Sequence, residues 1–206
     1  MAAILDRLSE SVKMDRSRAW QLLNEYTSNP ALIRHARCVE AAMRHYARIN
    51  GADEDLWGVV GLLHDFDYER WPEPPRHTHE GARILREAGC DEEIVAAILS
   101  HAPWNREEHP LDRPLRKTLF AVDELCGFIY AIALMRPEKL EGMKPKSVTK
   151  KMKQRTFAAS VSRDDITQGA ELLALPLDDH INHCIEAIRA VAPEVGLADN
   201  ANGGAG

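Results

Sequence analysis

The chain has 206 residues, 45% hydrophobic and 28% charged, with a formal net charge of -6. That size and balance describe one substantial globular domain, with no run near the roughly 18 to 20 apolar residues that span a bilayer. The acidic charge argues against general binding to a phosphate backbone, so neither nucleic acid nor a membrane is expected as a partner.

Nearly every segment reads as helix. Ala2 to Lys13 and Asp15 to Tyr26 are two short amphipathic stretches, the second opened by Asp15 as a cap. Ser28-Asn29-Pro30 starts a long helix that Asn50-Gly51 stops. Leu32, Ala36, Val39, Ala42, Met43 and Tyr46 recur along it at three and four, a core stripe that includes His35. Asp53 caps a strongly apolar helix ending in His64-Asp65. Trp71-Pro72 and Pro74-Pro75 make residues 67 to 76 a loop. Helices follow at Thr78 to Ala88 and Asp91 to Ser100, then an irregular stretch after His101. Leu115 to Met135 is the most apolar helix, interrupted by the acidic pair Asp123-Glu124. Lys144 to Val161 reads as a basic helix that Ser147 could cap, with further helices at Arg163 to Ala174 and Pro176 to Val191.

The expected fold is therefore all-α, a single globular domain over 1–197 with added N- and C-terminal helices. A core at about 31–128 precedes a helical extension at 136–197, and 198–206 reads as a disordered tail. The start, Met1 to Arg7, lacks the basic and apolar regions of a secretory signal, and the four scattered cysteines form no C-x-x-C unit. Both features point to a cytoplasmic protein with reduced thiols.

Histidines and carboxylates on buried faces or at helix ends are His35, His64, Asp65, His77, His101 and Asp123. Asp123 has apolar neighbours on every helical face, and a carboxylate there must be paired, coordinated or protonated. His35, His64, Asp65 and Asp123 form a mixed nitrogen and oxygen set suited to a divalent ion such as Mn, Fe, Co, Ni, Zn or Mg. With His77 and His101 there are enough ligands for two ions, Asp65 being the natural bridge. Asp67 and Glu69, directly after the pair, are candidate catalytic groups to orient a water or protonate a leaving oxygen. Arg76, Arg106 and Lys151, the last in a lysine-rich segment, are candidate substrate-binding cations, and Trp71 or Trp104 could stack on a base. His45, His109, His180 and His183 read as surface or structural.

This order of residues resembles the HD-domain superfamily of metal-dependent phosphohydrolases, whose signature is a His, an adjacent His-Asp and a distant Asp. The resemblance falls on His35, His64-Asp65 and Asp123 and covers about 31–128. Members with a second metal carry a His shortly before Gly-Ala and another at the end of the next helix. His77 to Ala82 and Ile98 to His101 look like those elements, with His77 preferred over His79 for its four-residue spacing to Gly81. The resemblance implies hydrolysis of a phosphomonoester or phosphodiester in a small phosphorylated metabolite, a nucleotide included, by water activated on one or two divalent ions. Two alternatives stay open: a di-iron oxygenase on the same six ligands, and a non-catalytic ligand-binding module. The cyclic-dinucleotide phosphodiesterase branch is disfavoured, since its doubled His and Gly-Tyr-Pro are missing, and the alarmone hydrolases are disfavoured because their Glu-Asp pair is absent. The oligomeric state is open, a homodimer included.

Overall fold

The computed structural model describes residues 14–198, and among them every regular element is helical. The segment expected as a helix over 2–13, and the tail from residue 199, lie outside the described residues. The helices are α1 (Arg16–Tyr26), α2 (Pro30–Asn50), α3 (Glu54–Leu63), α4 (Arg76–Glu87), α5 (Glu92–His101), α6 (Pro114–Leu134), α7 (Pro145–Met152), α8 (Arg163–Leu172) and α9 (Leu177–Ala190). No helix of the described residues is long and apolar enough to cross a membrane.

Local chemistry explains most of the boundaries. The carboxylates of Asp15, Asp53 and Asp91 accept from backbone N–H groups that the first turns of α1, α3 and α5 leave without a partner. Asn29 caps α2 ahead of Pro30, and Gly51 ends it in the left-handed region at φ 63°, where a side chain would be strained. Ser162 caps α8 by accepting from the Asp165 N–H at 3.1 Å.

The centre of the molecule is α2, α3 and α6. At Gly61 an added Cβ would lie 3.0 Å from the Glu40 backbone, so the missing side chain is what lets α3 sit against α2. Around this crossing Met43, Val60, Leu62, Leu63, Phe66, Leu119, Leu125, Phe128 and Ile129 are fully buried in one continuous apolar cluster. Each such side chain contributes about 1.5–3 kcal/mol of burial energy, which holds the ends of these helices in register. α9 packs on α2 and α6, and α8 on α6, completing the outer layer.

The basic segment departs from the sequence reading. Its helix ends at Met152 instead of running to Val161, and residues 153–161 are turns. Arg163 provides the reason: its guanidinium donates to the carbonyls of Ala158, Val161 and Phe157, and stacks on Phe128 at 4.6 Å. Those carbonyls point at one buried cation instead of down a helix axis. Ser147 does not cap α7 either, because Lys144 holds the cap position and Pro145 begins the helix.

Candidate metal centre

Six side chains from five helices and their ends meet at one point. His35 comes from the second turn of α2, His64 and Asp65 from the turn that leaves α3, His77 from the start of α4, His101 from the last residue of α5 and Asp123 from the middle of α6. Phe66, fully buried directly after the pair, keeps the chain from following the α3 axis into solvent. His35 Nε2 lies 3.0 Å from Asp123 Oδ1 and 3.2 Å from His64 Nε2. His64 Nε2 lies 3.4 Å from Asp123 Oδ1 and 3.5 Å from Asp65 Oδ2. The other oxygen of Asp65 is 3.3 Å from both His77 Nε2 and His101 Nε2. The atoms thus form two three-membered donor groups, His35-His64-Asp123 and Asp65-His77-His101, each with its ligand atoms within 4.8 Å of one another.

These spacings fit a coordinated cation. Ligands bonded at about 2.0–2.1 Å in octahedral or tetrahedral geometry stand roughly 2.8–3.4 Å apart. The tautomers fit as well. His64 Nδ1 faces the Gly61 carbonyl at 2.8 Å, His101 Nδ1 faces the Ile98 carbonyl at 2.5 Å, and His77 Nδ1 faces Asp67 Oδ1 at 2.9 Å. Each of these three Nδ1 atoms donates its proton outward, which leaves the Nε2 lone pair aimed inward, the usual arrangement behind a metal ligand. Inward lone pairs and two carboxylates repel one another unless a proton or a cation lies between them.

The electrostatics show that demand. Burial alone would push His64 down, but the charges of Asp65 and Asp123 outweigh it and raise its pKa to about 10. His77 is lifted in the same way to about 9, against its burial, by Asp65 and Asp67. Burial opposes ionisation of Asp65 and Asp123, yet the facing histidines hold both below the usual carboxylate range. Among the described residues no Lys or Arg forms a salt bridge with either carboxylate.

Behind the donors, α4 starts with a kink. His77 is extended (φ -54°, ψ 135°) and Thr78 has a positive φ of 70°, an unusual conformation for a β-branched residue. Asp67 compensates for it. Its Oδ2 accepts from the Thr78 and Gly81 N–H groups at 2.8 and 2.9 Å, while Oδ1 holds His77. An added Cβ at Gly81 would fall 2.8 Å from Asp67 Oδ2, so this approach requires glycine. Asn105 donates to Thr78 Oγ1 and the Leu99 carbonyl from the other side.

The donors face a cleft of about 410 Å³, lined also by Tyr68, Trp104, Arg106, Phe120, Glu124, Ser160 and Asp165. Tyr68 and Trp104 pack edge-on against His77 and are each 39% exposed, so they form its rim. Arg106 lies over Phe120 at 4.5 Å, and its buried Nε has no partner. Burial, and then the charge of Asp123, push Glu124 up to about 7. Its carboxylate accepts from the Ser162 N–H at 3.1 Å.

Several residues named from sequence are placed elsewhere. Asp67 is buried behind His77 with both oxygens engaged, so it does not reach the cleft to orient a water there. Glu69 points outward and accepts from Ser28 and Asn29 at the start of α2, hydrogen bonds that hold its carboxyl below the usual range. Arg76 lies over Trp71, and Lys151 sits over Phe157 with a hydrogen bond to Gln154; neither lines the cleft. Of the three candidate cations only Arg106 is there. Of the two neighbouring histidines His77 faces the donors, while His79 bonds Asn105 at 2.8 Å. Glu124 is the notable omission: its only sequence signal is adjacency to Asp123 within an apolar helix.

A family model described as the HD domain matches residues 32–142, more than half of the chain. No curated protein and no solved structure matches it. The matched segment runs from α2 to just beyond α6 and contains all six converging side chains. The chain belongs to the HD-domain family, whose members are generally metal-dependent phosphohydrolases.

Proposed function

We propose that the protein is a metal-dependent phosphohydrolase acting on a small phosphorylated metabolite, with His35, His64, Asp65, His77, His101 and Asp123 holding one or two divalent ions. The observation that carries this reading is the pair of adjoining donor groups, His35-His64-Asp123 and Asp65-His77-His101, opening on a cleft that Arg106 lines. Ions held there would acidify a bound water and offset charge on a phosphoryl oxygen. Four imidazoles among six donors favour Mn, Fe, Co, Ni or Zn over Mg.

The chain's own groups divide the remaining tasks. Among the described residues Arg106 is the one Arg or Lys that lines the cleft, suited to one phosphoryl group rather than a polyphosphate. Tyr68, Trp104 and Phe120 supply flat apolar walls, and Glu124, Asp165 and Ser160 supply acceptors for hydroxyl or amino groups of the substrate body. A cleft of this volume suits a metabolite. Asp67 is a positioning residue that keeps His77 in its tautomer, in place of the catalytic role its sequence position first indicated.

The test is a panel of phosphomonoesters and phosphodiesters with protein loaded in turn with Mn, Fe, Co, Ni and Zn. Metal-dependent hydrolysis, read as phosphate from a monoester or alcohol from a diester, abolished by chelator and with KM raised in Arg106→Ala, is the expected result. Metal-loaded protein that frees neither phosphate from any monoester nor an alcohol from any diester overturns the reading. The same histidine-rich set suits a pair of irons, so substrate-dependent oxygen uptake by iron-loaded protein would assign dioxygen chemistry instead.

A further inference from the structure

A second cluster of donors lies away from this cleft. His45 on α2 and His183 and Glu186 on α9 present ligand atoms within 4.8 Å of one another. His45 is ten residues beyond His35 on the same helix, which puts it about 15 Å further along the axis. His45 Nε2 and His183 Nδ1 face each other at 3.0 Å. Two nitrogens bonded to one tetrahedral ion at about 2.0–2.1 Å stand roughly 3.3 Å apart. The pair therefore needs to open by only a few tenths of an ångström to admit an ion. Each ring can carry its proton on the nitrogen away from the pair.

The frame under these rings is hydrogen-bonded. Tyr46 packs against His45 and His183 with ring centroids at 6.0 and 5.5 Å. Its hydroxyl donates to His180 Nδ1 at 2.6 Å, and His180 Nε2 donates to the Ala121 carbonyl at 3.0 Å. This buried chain ties α2, α6 and α9 together and fixes where the two outer imidazoles sit. His183 and Glu186 are three residues apart, hence on one face of α9. Asn182 donates to Glu186 Oε1 at 2.9 Å, which orients the carboxylate. Arg48, the nearby cation, is engaged by Glu54 at 2.5 Å.

We infer that His45, His183 and Glu186 form a second metal site, taking a zinc-class dication with water in the fourth position and stapling α9 to α2. Two imidazoles and one carboxylate with an open position suit Zn²⁺ and exclude a preference for Mg²⁺ or Ca²⁺. This site is independent of the phosphohydrolase reading and uses none of its ligands.

The test counts zinc per chain after equilibration of wild type, His45→Gln and His183→Gln, glutamine being able to keep a hydrogen bond across the helix pair. Each variant is expected to hold one zinc fewer than wild type, to show a smaller zinc-dependent rise in Tm, and to keep the content of the six-ligand cleft. Asn182→Ala is expected to weaken the site about tenfold, as loss of an outer partner does. Equal zinc counts in wild type and both histidine variants overturn the proposal. Should a variant not fold, anomalous scattering from wild-type crystals grown with excess zinc decides: a peak bonded to His45 and His183 supports the site, and its absence refutes it.

Discussion

Asp65 is the side chain that stands between the two donor groups of the cleft, since one oxygen faces His64 and the other faces His77 and His101. Asp65→Ala should therefore lose ions from both groups together with all turnover, as elemental analysis and an assay of ester hydrolysis would show. A variant that retains its full metal content contradicts the shared role. Gly81→Ala acts one layer further out. The new methyl collides with the Asp67 carboxylate, which must release His77, so the Asp65-His77-His101 group should weaken while His35-His64-Asp123 still binds. Metal stoichiometry in that variant, falling toward one, measures it. His180 makes a separate case. Burial, ahead of the opposing Ala121 hydrogen bond, lowers its pKa from 6.5 to about 4. As pH falls below 6.5 the unfolded chain takes up this proton first, so the contribution to stability is full above 6.5 and is lost progressively toward 4. Between about pH 7 and 5 the loss is about 2 kcal/mol. Urea melts should show a shallower acid decline in His180→Gln; parallel declines would contradict the assignment. At this scale the sequence exposed the donors, because a carboxylate among Phe120, Val122, Leu125 and Phe128 is chemically conspicuous. It did not expose direction. Asp67 and Glu69 follow the His-Asp pair by two and four residues, yet the turn after α3 aims one inward behind His77 and the other out to α2.

Helix starts were legible at Asp15, Asn29, Asp53 and Asp91, where a side chain does the capping, because the signal lies within three residues. The segment 153–161 was not, because what prevents a helix there is a guanidinium that reaches the segment's carbonyls from α8. Arg163→Ala should strand the carbonyls of Ala158, Val161 and Phe157 and remove the stack on Phe128, costing about 2–3 kcal/mol. Ser160 and Val161 line the cleft, so the same change should raise KM while leaving metal content unaltered. Chemical denaturation and metal analysis of the one variant check both. The kink at His77-Thr78 was equally hidden: the expected start of α4 at Thr78 matches the end of the kink, but Asp67, eleven residues earlier, is what holds that kink in place.

Across the whole molecule, one apolar cluster joins the matched segment to the C-terminal helices, with Ile181, Cys184, Ile185 and Ile188 of α9 buried in it. The cleft is bounded on one side by the segment ahead of α8, so the part of the chain beyond residue 142 contributes walls to a site whose donors all lie before it. The all-helical class was readable from apolar spacing at three and four. The convergence of side chains from five helices and their ends was readable only through the family resemblance, since no local pattern encodes a distance between His35 and Asp123. That convergence is the central claim, and anomalous scattering from crystals grown with manganese tests it most directly. The account expects one peak bonded to His35, His64, Asp65 and Asp123, and a second, at higher loading, bonded to Asp65, His77 and His101. Density showing His35 hydrogen-bonded to Asp123 with no ion between the six side chains, in the presence of excess metal, would contradict it.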